Sequence, residues 1–159
     1  MIRWRQAAVA GVAGTIAFDV VGLLLTGQWS TPRMLGAKLE IGLAGGAIAH
    51  YVNGIVLAII FAGVGPSLWG PTWARALTYM LAQQVFGVWL FLNPILGMGI
   101  AGLKGGPMVP FVSLAKHFAF GLVVAWLYPV AAPSTGGDER PAATARPTGS
   151  GWLTRSPRT

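Results

Sequence analysis

Ile41-Gly42-Leu43-Ala44-Gly45-Gly46-Ala47-Ile48-Ala49-His50-Tyr51-Val52-Asn53-Gly54-Ile55-Val56-Leu57-Ala58-Ile59-Ile60-Phe61-Ala62-Gly63-Val64 contains no charged side chain. A bilayer-spanning helix needs about 20 mostly apolar residues, and this run has that length and character. Gly42, Gly46, His50, Gly54, Ala58 and Ala62 recur at every fourth position. On a helix they form one stripe of small residues, the kind of surface on which membrane helices approach closely. His50 lies in that stripe, so the sequence predicts a histidine turned toward a helix partner rather than toward lipid.

Three further segments match it in length and character: 7–25, 74–92 and 109–130. The whole composition agrees. Charged residues are 9% of the chain, hydrophobic residues are 54%, and mean hydropathy is +0.63. Ordinary soluble domains carry about 25% charged residues, so a soluble domain is excluded. We therefore expect an all-α integral membrane protein, a four-transmembrane-helix bundle over 1–130 with the lipid bilayer as its first partner.

The net charge of +7 does not point to nucleic acid. Arg3, Arg5, Arg33, Lys38, Arg75 and Lys104 flank apolar runs, where basic residues set membrane topology, and they form no basic face. There is no cysteine, which excludes thiolate catalysis, iron–sulfur clusters and Cys-based zinc sites. The start Met1-Ile2-Arg3-Trp4-Arg5 has the form of a signal-peptide n-region. The long apolar run behind it, with no small-residue cleavage site, predicts an uncleaved first helix. Gly65-Pro66 and Gly70-Pro71 predict a short stiff loop, and Asn93-Pro94 a helix end or kink. Residues 131–159 are rich in Pro, Gly, Ser, Thr and Ala and read as a disordered tail. With four spans, both termini share Arg3, Arg5, Arg75 and Arg140 on one side. The expected setting is a bacterial inner membrane with both termini cytoplasmic.

The second and fourth spans share a pattern. His50-Tyr51-Val52-Asn53-Gly54 aligns with His117-Phe118-Ala119-Phe120-Gly121, and Asp19-Val20-Val21-Gly22 with Gln84-Val85-Phe86-Gly87. The chain holds only two histidines, and they occupy matching positions. This predicts two tandem helical hairpins related by a pseudo-two-fold axis along the membrane normal. Gly14-Thr15, Leu35-Gly36, His50-x-x-x-Gly54 and Gly105-Gly106-Pro107-Met108 leading into His117-x-x-x-Gly121 give the chain a resemblance. Over about 10–130 it resembles a family of small bacterial four-span membrane proteins, a domain of unknown function. The resemblance implies the architecture and no activity.

Counting about 1.5 Å per residue from the helix ends puts Asp19, His50, Gln84 and His117 about 9–14 Å below one membrane face. Thr15, Asn53, Gln83, Lys116, Gly54 and Gly121 neighbour this layer. Three readings compete for it. It is packing glue within a small membrane binding or accessory protein, alone, as a homo-oligomer or in a larger membrane complex. Or His50 and His117 are the axial ligands of one haem b, with Gly54 and Gly121 leaving room for the macrocycle. Or Asp19 and the histidines conduct protons or a cation. Lys116 would snorkel to the interface or pair with Asp19. Gly97-Met98-Gly99-Ile100-Ala101-Gly102 fits a dinucleotide fingerprint only in letters, because a membrane helix and not a strand precedes it. No catalytic motif or carboxylate pair stands in the core, so no enzyme is expected.

Overall fold

The computed structural model describes residues 2–131, and all but the first residue of the expected tail lies outside them. Among the described residues the chain is all-helical. Helix α1 (Trp4–Thr26) ends where Gly27 adopts a left-handed conformation (φ 68°) and its amide bonds back to the Leu23 carbonyl. A short helix not anticipated from the sequence, α2 (Ser30–Lys38), folds back before α3 (Gly42–Val64). Glu40 (φ 58°) and Gly42 (φ 67°) make that reversal.

The next apolar segment is one continuous helical path of changing pitch. It begins as α4 (Thr72–Ala82), widens to a π-helix over Gln83–Leu92, and closes with the single turn α5 (Asn93–Ile95). Both joints keep helical backbone angles, at Gln83 (φ −60°, ψ −42°) and Asn93 (φ −61°, ψ −44°). A 3₁₀ stretch, Ile100–Gly105, leads to α6 (Val109–Leu127), which Pro110 opens. Three helices are individually long and apolar enough to cross a membrane: α1, α3 with its 3₁₀ extension to Ser67, and α6. Their outer faces are correspondingly apolar, with Leu24 and Trp126 both 80% exposed. An apolar surface of this kind suits lipid and not water.

Helix α1 packs on both α3 and α6, α4 packs on α6, and α2 covers α3. The helices alternate in direction. At one end the Arg3 amide donates to the Tyr128 hydroxyl (3.2 Å) and the Gln6 amide to the Leu127 carbonyl (2.7 Å). Arg75, buried at the same end, donates to the carbonyls of Gly70 (2.6 Å) and Ala131 (2.8 Å). The opposite end carries α2, α5 and the 3₁₀ stretch.

The small-residue stripes make the close contacts. A Cβ on Gly11 would stand 2.6 Å from Ile55 Cα and 2.7 Å from the Gly54 carbonyl oxygen, and one on Gly54 would strike Thr15 Oγ1. On the α4–α6 side a Cβ on Gly121 would stand 2.7 Å from Met80 Cγ, with the Ala76 carbonyl oxygen at 3.4 Å. Gly14 sits as tightly against Phe120 between α1 and α6. Helix α3 and the π-helix form no such seam. Phe61 and Tyr79, ring centroids 5.8 Å apart, join α3 to α4 near one end, and beyond them the two elements part.

Candidate functional site

The polar layer forms on the faces that the stripes bring together. Asp19 on α1 and His50 on α3 are both buried, and the His50 Nε2–H donates to Asp19 Oδ1 at 3.0 Å. An ionisable pair removed from water holds its place only when each member satisfies the other. On α6, His117 Nδ1–H donates to the Ser113 carbonyl one turn earlier (2.7 Å), which leaves Nε2 as the ring's acceptor. Ser113 Oγ in turn accepts from Gln84 Nε2 (2.9 Å). Thr15 spends its hydroxyl on the Gly11 carbonyl (2.8 Å), the usual settlement for a threonine inside a membrane helix.

Phe18 is the common neighbour. Its ring centroid lies 5.1 Å from that of His50 and 5.0 Å from that of His117. The two imidazoles thus stand at one level, each against the same phenyl ring. A shared iron would require His50 Nε2 to leave Asp19 or the ring to turn, and Phe18 to give way. The space at Gly54 and Gly121, expected to admit a macrocycle, is filled by Thr15 and Met80. Among the described residues no three His, Cys, Asp or Glu side chains converge as metal ligands.

Lys116 is neither paired with Asp19 nor at the surface. Its stem runs along Gly22, where a Cβ would come within 3.0 Å of Lys116 Cε, and the side chain is 7% exposed. The ammonium lies 4.3 Å from the centre of the Phe18 ring. It donates to Thr31 Oγ1 (3.0 Å) and Ser30 Oγ (3.5 Å) at the start of α2. The long stem does reach toward the end of the bundle, and α2 meets it there.

These groups surround a cavity of about 820 Å³, within the range of about 300–1,000 Å³ usual for small-molecule sites. It fills the gap between α3 and the π-helix, floored by α1 and α6 and capped by α2. His50, His117, Lys116, Asn53 and Gln83 are among its polar lining, and Leu57, Val88, Phe91, Leu92 and Val112 among its apolar lining. Asn53 and Phe91 are exposed and also line it, so the cavity communicates with the outer surface there. Gln83 Oε1, Gln84 Oε1 and Asp19 Oδ2 are buried without a hydrogen-bond partner among the described residues. Asp19 does not line the cavity. It lines a shallow outer pocket with Tyr51 and Trp29, so the Asp19–His50 pair stands between the two spaces.

Sequence reasoning found the polar side chains and missed what connects them. Phe18 is one apolar residue in an apolar run, and only its place next to Asp19 hinted at a role. Ser30 and Thr31 lie outside the four expected spans, and no periodic apolar face marks α2. No family model, curated protein or solved structure matches the chain.

Proposed function

We propose that the protein is a small four-span membrane binding protein that holds an apolar molecule in the cavity between α3 and the π-helix. The observation that carries this reading is the cavity itself, a mostly apolar space into which α1, α2, α3, the π-helix and α6 each bring polar groups. Four-span architecture is supported by the unbroken helical path from Thr72 to Ile95, laid against α6. Two tandem hairpins are supported by the paired crossings, Gly54 on Gly11 and Thr15, and Gly121 on Ala76 and Met80. Both features accord with the resemblance to small bacterial four-span proteins. A π-helix, costly in backbone geometry and frequent at functional sites, is in keeping with a ligand wall.

The test is native mass spectrometry of the protein released from nanodiscs, with an optical spectrum of the same sample. One retained molecule per chain is expected, lost in the cavity-filling variants Ala49→Trp and Val88→Trp. Equal adducts, or none, in all three proteins would refute it. A Soret band that disappears in both His50→Leu and His117→Leu would replace this reading with the haem cytochrome.

A second reading, proton transfer through Asp19 and His50, has one observation in its favour. The pair separates the outer pocket, which Asp19 lines, from the cavity, which His50 lines. Dissipation of a pH gradient in proteoliposomes that vanishes in Asp19→Asn would support it, and equal leakage would exclude it.

A further inference from the structure

Among the described residues two cations are buried, Arg75 and Lys116. Arg75 is satisfied by backbone carbonyls at the end of the bundle. Lys116 has two hydroxyls and a phenyl face, with no carboxylate within ion-pairing distance among the described residues. The nearest candidate, Asp19, is bonded to His50 instead. A buried charge without a counter-charge is costly in a low-dielectric interior, and Lys116 faces a cavity large enough to bring one in.

The start of α2 makes the same demand independently. Trp29 precedes the helix and caps nothing with its side chain, and no acidic residue stands in the first turn. The amides of Ser30 and Thr31 therefore lie free of a side-chain cap beside the ammonium. A helix N-terminus beside a lysine and two hydroxyls offers amide, ammonium and hydroxyl donors, the arrangement that receives an anionic group. The same cavity is also lined by Leu57, Val88, Leu92 and Val112, and it opens at Asn53 and Phe91.

Resting on the cavity reading above, we infer that the ligand is an anionic single-chain amphiphile. Its carboxylate or phosphate head binds Lys116 Nζ, Ser30 and Thr31, and its alkyl chain lies along the gap between α3 and the π-helix. The head supplies the counter-charge that Lys116 lacks among the described residues, and the chain fills space that no described side chain occupies. A neutral apolar ligand would leave the ammonium uncompensated, and a cationic one would be repelled by it.

The experiment is a native-mass-spectrometry titration of the nanodisc protein with four C16 probes: hexadecanoate, hexadecyl phosphate, hexadecanol and hexadecylamine. Wild type is expected to bind the two anions more tightly than the alcohol by about tenfold or more, as one charge-assisted contact allows, and the amine least. The tighter of the two anions distinguishes a fatty-acid head from a phosphate head. Lys116→Gln removes the preference for the anions while hexadecanol still binds, which also shows that the variant folds. Thr31→Val, which keeps the lysine, reduces anion binding by a smaller factor. Equal binding of all four probes by wild type overturns the headgroup assignment and leaves the cavity reading intact. So does a Lys116→Gln protein that loses alcohol and anions alike while Thr31→Val changes neither. Failure of every probe to bind overturns both.

Discussion

The α1–α3 pair and the α4–α6 pair cross on the same device and are finished differently. Each crossing sets a glycine of the later helix, Gly54 or Gly121, onto the side chain and backbone of the earlier one. Beyond that point α1 offers a carboxylate and His50 takes it. The corresponding position on the second pair offers an amide, which bonds Ser113, and His117 turns back to its own helix. The first pair stays α-helical throughout, whereas the second widens into a π-helix and draws away from α3. One pair locks a buried charge, and the other opens a wall. Near-identical crossings are thus set apart by what stands one turn further on.

The largest expected effect is at the crossings themselves. Gly11→Leu meets backbone, Ile55 Cα and the Gly54 carbonyl, which cannot step aside. Overpacking of this kind costs about 3 kcal/mol or more, and size-exclusion profiles in detergent should show loss of the folded species. Gly121→Ala meets the flexible Met80 side chain instead and should cost less than Gly11→Ala by at least about 1 kcal/mol in reversible unfolding. Equal losses would mean that the two crossings are not built as described.

The next effect separates the two histidines. His50→Leu strands Asp19 and should destabilise by about 3–5 kcal/mol, the usual cost of breaking a buried ionic pair from one side. Asp19→Leu added to it should recover part of that loss, read as a coupling energy in a double-mutant cycle. His117→Leu breaks a bond within one helix and should cost about 1 kcal/mol or less. The smallest effect is at Gln84 and Ser113, where Ser113→Ala should cost about 0.6 kcal/mol, the average for polar contacts between membrane helices.

Much of this contrast was legible in the sequence, and the reasons are physical. The four-residue stripe through His50 and Gly54 reports a packed helix face directly, because small residues are the condition for close approach. Asp19, His50 and His117 stood out because ionisable side chains are rare in apolar runs. Lys116 was readable as buried-stemmed, but its endpoint depended on α2. That helix lacks an apolar period and is held by backbone contact between Gly36 and Gly46, where a Cβ on Gly46 would lie 2.8 Å from Gly36 Cα. The π-helix was invisible for a similar reason. Its residues are as apolar as those of an α-helix, so no change of composition marks the change of pitch. A cavity is a property of unpaired faces, and sequence patterns report the paired ones.

On the proposed function, the space between α3 and the π-helix admits a guest while the other seams are closed. This is tested most directly by photolabelling the nanodisc protein with a diazirine-bearing alkyl chain and mapping the labelled residues by tandem mass spectrometry. Label is expected on Leu57, Val88 and Val112 and is lost in Val88→Trp, with none on the fully buried Ala10 and Ala58. Label confined to outward residues such as Leu24 and Trp126, unchanged by Val88→Trp, would contradict it.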